Sequence, residues 1–304
     1  MAILLSGCNT GIESTKKITP TRADRQLMQP TAEDRFIDSI RPEKLSEWKV
    51  GKRFLIADNK ASLVYEVTDS GGRRVHGDSL KGVVICFDGV ESQSDPAGGN
   101  TAIIRFKTEK SHRTVRYTSN KPFTAVGSTV WSDLPMAVDL ELAQSMAHLL
   151  KDRELWVRTE LWYDKHGSNI RATKFTPVKI QSVTTGDAVF PLKVKFEDLR
   201  TGTVAYLPMN LPDGKGKQGS RSFASLFSLK DPKELYPDIM PEVWEAICRC
   251  SVMNGMTKEE CKLALGNPTE VDHGHNWDNL VDYWKYADGT YLLFVDDKLT
   301  DYRK

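Results

Sequence analysis

The chain has 304 residues, 39% hydrophobic and 27% charged, the composition of folded globular domains rather than of a disordered chain. Its 42 Lys+Arg against 41 Asp+Glu leave a net charge of +1. The concentrated positive field that holds a phosphate backbone is therefore missing, and nucleic acid is not an expected partner. Five cysteines over this length exclude a disulfide scaffold.

Leu4-Leu5-Ser6-Gly7-Cys8 has the form of a bacterial lipoprotein cleavage and acylation site. Two aliphatic residues sit in the membrane, two small ones enter the peptidase, and the cysteine thiol accepts the lipid. Cys8 is thus the expected lipidation site, and residues 1–7 the remnant of a signal peptide. A secretory signal needs about 15–30 residues with a basic start, so the true start is expected upstream or the chain truncated. Residues 8–40 read as the lipidated cysteine and a flexible tether, polar and punctuated by Pro20 and Pro30. Two or more acyl chains anchor a protein stably without a spanning helix. No apolar run after Cys8 approaches the roughly 18 residues of a span. The expected location is the bacterial cell envelope, at the outer membrane, with the lipid as the membrane contact.

Beyond the tether, the expected fold is multidomain: two tandem small all-β domains, barrel-like or rolled sheets, followed by an α+β two-layer domain. The first β domain spans 41–125. Its strands are suggested by Arg53–Ile56, Ser62–Val67, Val83–Phe87, Ala102–Phe106 and Thr114–Tyr117, separated by Gly-, Asp- and Pro-rich turns. The same order returns over 126–212. Glu154–Val157 matches Arg53–Ile56 at an offset of 101, and Val178–Ile180 matches Val83–Ile85 at 95. Val194–Phe196 matches Ile104–Phe106 at 90, and Thr203–Tyr206 matches Thr114–Tyr117 at 89. Two such units are too few and too large for a solenoid, so the pattern predicts a duplicated domain. In the second copy, Trp156 and Trp162 are in phase along one apparent strand. They form a candidate binding surface, or else pack against the neighbouring domain or a short helix over Leu140–Leu150.

Residues 213–232 read as a Gly/Lys-rich linker. In the final segment, 233–304, Pro241 opens one helix through Trp244 and Ile247. Thr257 and Glu260 form a capping box for a second, which Gly266 and Pro268 end. Asp288-Gly289 then turns one strand into the next, and a three-stranded meander closes the chain. Gly255-Met256-Thr257-Lys258-Glu259-Glu260, Leu265-Gly266-Asn267-Pro268-Thr269, Trp284-Lys285-Tyr286 and Tyr291–Phe294 carry a resemblance to the SmpA/OmlA (BamE-like) outer-membrane lipoprotein family. The resemblance covers about a fifth of the chain. It implies an envelope protein with a helix–helix–meander domain. Typical members place this domain close behind the lipidated cysteine, so their accessory role in outer-membrane barrel assembly does not carry over. A related layout in secreted β-lactamase-inhibitor-like proteins suits protein binding equally.

No Gly-x-Ser-x-Gly elbow, His-Glu-x-x-His or phosphate-cradling glycine loop is found, so no catalytic residues are named. Cys248, Cys250, Cys261, His273 and His275 are of metal-ligand type, but the Cys-x-Cys pair on a helix points its side chains apart. No metal and no cofactor is expected, whereas a disulfide from Cys261 to Cys248 or Cys250 suits an oxidising envelope. Asp88–Glu91 and Asp95 lack the ligand periodicity of a calcium site. The functional expectation is a lipid-anchored envelope protein that binds or scaffolds another protein or a cell-wall polymer, and is not an enzyme. The alternatives are an envelope hydrolase with an unrecognised site and a secreted inhibitor-like binding protein.

Overall fold

A computed structural model describes residues 31–75, 79–94, 99–212, 221–276 and 279–303. Cys8 and most of the tether lie outside the described residues, as do the Gly/Lys-rich stretch 213–220, Asp95, His76 and Asp278.

The chain opens with helix α1 (Ala32–Ile37), started by a capping box between Thr31 and Asp34. There follow β1 (Arg53–Ile56), β2 (Tyr65–Thr68), β3 (Val84–Ser94), β4 (Asn100–Thr108), β5 (Thr114–Pro122) and β6 (Ala137–Asp139). Helix α2 (Leu140–Leu150) leads into β7 (Glu154–Val157), β8 (Leu161–Tyr163), β9 (Asn169–Arg171), β10 (Thr176–Thr185), β11 (Leu192–Asp198) and β12 (Val204–Met209). Then come α3 (Phe223–Leu226), β13 (Phe227–Ser228), α4 (Pro232–Leu235), α5 (Pro241–Cys248) and α6 (Lys258–Leu265). The strands β14 (Glu270–Asn276), β15 (Asn279–Lys285), β16 (Tyr291–Val295) and β17 (Lys298–Arg303) finish the chain.

These strands form three antiparallel sheets, ordered β2-β5-β4-β3-β1-β6, β13-β7-β10-β11-β12-β8-β9 and β14-β15-β16-β17. The first two share a topology: β1, β2, β3, β4, β5 and β6 have counterparts in β7, β8, β10, β11, β12 and β13, with β9 added at the edge. Even an irregularity recurs. A β-bulge falls between Phe87 and Gly89 where β3 meets β4, and another between Ile180 and Ser182 where β10 meets β11. A bulge raises local twist and bends its strand, so both sheets curl at the same place. Phe106 and Phe196 are equivalent, lying opposite Phe87 and Ile180 respectively. Tyr117, however, corresponds to Leu207 rather than to Tyr206, because Tyr117 pairs with Ile104 while Leu207 pairs with Val194.

The expected fold class is overturned. Strand accounts for 39% of the described residues and helix for 22%, so three antiparallel sheets, not a β part followed by an α+β domain, define the architecture. Nor do the first two sheets stand as two separate small domains. Their buried residues form one continuous core, from Phe54, Ile85 and Phe106 to Val178, Phe196 and Leu207. Helix α2 lies between them, packed on both β1 and β10 and burying Leu142, Met146 and Leu150. Asp139 caps this helix, accepting from the N–H groups of Glu141 and Leu142 at 3.0 Å each. The same carboxylate pairs with Lys52 at 2.9 Å, with both side chains almost wholly buried.

The segments expected to be tether and linker also contribute to the core. Phe36 of α1 packs on Phe223 of α3 with ring centroids 5.4 Å apart. Buried Glu33 accepts hydrogen bonds from Leu229 N at 3.2 Å and Ser228 Oγ at 3.4 Å. β13 pairs with β7, closing the edge that β6 closes in the first sheet. The third sheet has four strands rather than three, since Glu270–Asn276 pairs along its whole length with β15. Its second core comprises Val243, Trp244 and Ile247 of α5 and Cys261 and Ala264 of α6, against Trp284, Leu292, Phe294 and Leu299.

Candidate functional site

Alternation along β7 turns Leu155 and Val157 into the core and leaves Trp156 half-buried on the outer side of the sheet. Trp162 has a different fate. The chain leaves β7 after Val157 and starts β8 only at Leu161, so the period of two does not run through both tryptophans. Trp162 is 2% exposed, stands edge-on to Phe196 at 5.0 Å and donates its indole N–H to Thr159 O at 3.0 Å. The expected two-tryptophan display on one strand is therefore not formed: Trp162 is a core residue, in the place that buried Tyr65 holds in the first sheet.

Trp156 instead lines a groove of about 630 Å³ where the second sheet meets α5. The opposite wall is Trp244, whose ring stands perpendicular to that of Phe175 at 5.9 Å. Phe175 sits at φ +57, the left-handed region that bulky residues avoid. Its N–H donates to Val157 O at 2.6 Å, which fixes the ring towards α5. Beside it, Lys174 joins the two sides. Its N–H donates to Cys248 O at 3.0 Å, and its Nζ donates to Ala264 O at 2.7 Å and Leu263 O at 3.3 Å. Burial pushes the Lys174 ammonium below the ordinary lysine range.

Charged groups rim the aromatic floor. Arg200 donates to Thr176 Oγ1 at 2.6 Å and Thr173 Oγ1 at 3.1 Å, and its Nε lies 3.4 Å from Asp198. Arg249 pairs with Glu245 one helical turn away at 3.4 Å. Arg200, Arg249 and Lys233 outnumber Asp231 and Glu245, so the rim leans positive. Cys248 also faces the groove, but burial pushes its thiol up, away from the reactive thiolate. The arrangement suits binding: an apolar slot bounded by guanidinium groups grips a chain with a flat apolar face and an anionic flank.

The disulfide expected at Cys261 is not formed. Cys248 and Cys261 are free thiols, and burial among α5, α6 and the sheet pushes Cys261 up to about 12. His273 turns to Asp282, with Nδ1 at 2.6 Å from the carboxylate. Among the described residues no group of three or more His, Cys, Asp or Glu is placed to hold a metal ion. Sequence reasoning named Trp156 but missed Phe175, Lys174 and Arg200. Nothing in Thr173-Lys174-Phe175-Thr176 announces a positive φ, and Trp244 read only as the apolar face of a helix. Comparison of the chain with protein-family models, with curated proteins and with solved structures returns no match.

Proposed function

We propose that the chain is a lipid-anchored protein of the bacterial cell envelope, held at the outer membrane through Cys8. Its folded part binds an envelope protein or a cell-wall polymer along the Trp156–Trp244 groove. The anchor is supported by the Leu4-Leu5-Ser6-Gly7-Cys8 pattern and by the polar stretch behind it. Among the described residues no helix is long and apolar enough to cross a membrane.

The observation that carries the binding role is the half-open aromatic slot. Aromatic residues normally bury their large apolar area; Trp162 does so almost completely, whereas Trp156 stays half-buried with part of its ring open to the groove. A positively leaning rim beside it gives an extended ligand both contact area and orientation.

Two experiments test the parts separately. Fatty-acid labelling should mark the parent and fail in Cys8→Ala; equal labelling removes the anchor. A photo-crosslinking amino acid at Arg249, on the groove rim, should form adducts with an envelope protein or sediment with purified cell wall. Adducts that persist unchanged in Trp156→Ala would remove the groove as the binding site.

A further inference from the structure

The first sheet holds another cavity, apart from the groove. It measures about 730 Å³, within the roughly 300–1,000 Å³ that takes a small organic ligand, and opens between residues 62–67 and β5. Its charged lining is three guanidinium groups, Arg74, Arg113 and Arg116, against the one carboxylate of Glu66. Hydroxyl-bearing residues, Ser62, Ser79 and Thr118 among them, line the same cavity.

Two of these arginines are held by contacts that an incoming anion can replace. Arg74 meets Glu66 through Nε at 2.9 Å, and Arg116 meets Glu91 through Nη2 at 3.4 Å. Their side chains are 59% and 40% exposed, and such surface pairs contribute at most about 1 kcal/mol. A guanidinium fork matches carboxylate or phosphate with two parallel hydrogen bonds. Several forks together with hydroxyl donors favour phosphate, whose tetrahedral oxygens accept from more directions than a planar carboxylate. The cavity also exceeds a bare anion, and Leu80 and Val83 give it an apolar wall against which a carbon skeleton can rest.

We propose that this cavity binds a phosphate ester carried on a small hydroxylated body of the glycerol phosphate type. Two sources offer that chemistry, a soluble or polymer-borne ester and the headgroup of an anionic phospholipid. The site is independent of the groove, and so is its test. The full-length chain is titrated calorimetrically with glycerol 3-phosphate and with glucuronate as the carboxylate control, and is sedimented with phosphatidylglycerol or phosphatidylcholine vesicles. Saturable binding of glycerol 3-phosphate identifies the soluble source, and selective binding of phosphatidylglycerol vesicles the headgroup. In either case Arg74→Gln and Arg116→Gln should each weaken binding by about tenfold or more, the effect of one lost charge-assisted contact, while Trp156→Ala leaves it intact. Unchanged melting in Arg74→Gln, the more exposed of the two, separates lost binding from lost folding. Affinity unchanged from the parent in both arginine variants, glucuronate binding as tight as the ester, or no saturable binding to either phosphate probe overturns the proposal.

Discussion

Lys174 donates from Nζ to the carbonyl of Ala264 at 2.7 Å, so a side chain beside the second sheet caps the end of a helix in the third unit. The last carbonyls of a helix have no partner within it, and a cation there also meets the negative end of the helix dipole. Burial lowers the lysine's affinity for its proton, yet the two helix carbonyls need N–H donors that nothing apolar supplies. Replacing Lys174 by Met should therefore cost about 1.5–3 kcal/mol, the range for a hydrogen bond to a charged group. Denaturant unfolding gives that number. Hydrogen exchange should also quicken in α6 ahead of β10; exchange that stays uniform would mean the contact is incidental.

Lys52 and Asp139 make a stricter pair, with side-chain exposures of 4% and 2%. Burial works against the Lys52 ammonium, but the charge and hydrogen bond of Asp139, joined by Glu43, outweigh it and push the lysine up. Lys52→Met would strand a buried carboxylate and should cost about 3–5 kcal/mol. Asp139→Asn keeps an oxygen for the α2 cap, so the double variant should be more stable than Lys52→Met alone. If the double variant is the less stable of the two, Lys52 is not there to neutralise Asp139.

Much of the β architecture was legible because apolar residues alternate along its strands, and the same strand order could be read twice. Register was harder. Matching Tyr117 to Tyr206 aligned identical letters at an offset of 89, but pairing places Tyr117 with Leu207, one residue further on. A slip of one turns every side chain to the other face. Tyr117 meets Tyr65 at 5.6 Å beside the core, while Tyr206 lies outside under the ammonium of Lys193. Composition also hid β14, whose Glu, Asp, His, Gly and Asn carry little strand preference; partnership with β15 makes the strand. Phe223, Leu226 and Phe227 are visible apolar signals, but the Gly/Lys-rich composition before them carries the expected linker too far. At the site, outward-facing Trp156 follows from alternation, whereas the groove it shares with Trp244 depends on packing between residues nearly ninety positions apart.

Acid should loosen the third unit first. Asp282 accepts from His273 and pairs with Lys258, which also meets Asp297. Partial burial raises the carboxyl's pKa, but the hydrogen bonds and charges of Lys258 and His273 outweigh it and hold the group below the usual range. A depressed carboxyl contributes stability above its unfolded pKa, about 3.9, and loses it as pH falls through the lower folded value. Asp282→Asn should thus lie below the parent in urea midpoint near pH 6, and the gap should close below about pH 4. A gap that stays constant into strong acid would show that packing, not charge, fixes Asp282.

Helix α6 is bounded at both ends by residues whose roles are separable. Thr257 Oγ1 accepts from Glu260 N at 3.1 Å, and Glu260 Oε2 accepts in return from Thr257 N at 2.6 Å. Thr257→Ala breaks the first bond, leaves a helix-start N–H without its partner and should cost about 1 kcal/mol. Gly266 ends the helix at φ +88, ψ −168, a region reserved for glycine, where another residue costs about 1–3 kcal/mol. A side chain added there would meet no atom within 4 Å, so the penalty is one of backbone conformation and not of crowding. Gly266→Ala and Gly266→Val should therefore destabilise the chain by similar amounts, and each should add to Thr257→Ala. The measurement is the unfolding free energy of the full chain for the three single variants and the two doubles. A Val penalty well above that of Ala would place an obstruction beside Gly266, and Ala at no cost would mean that the chain leaves the helix there by another conformation.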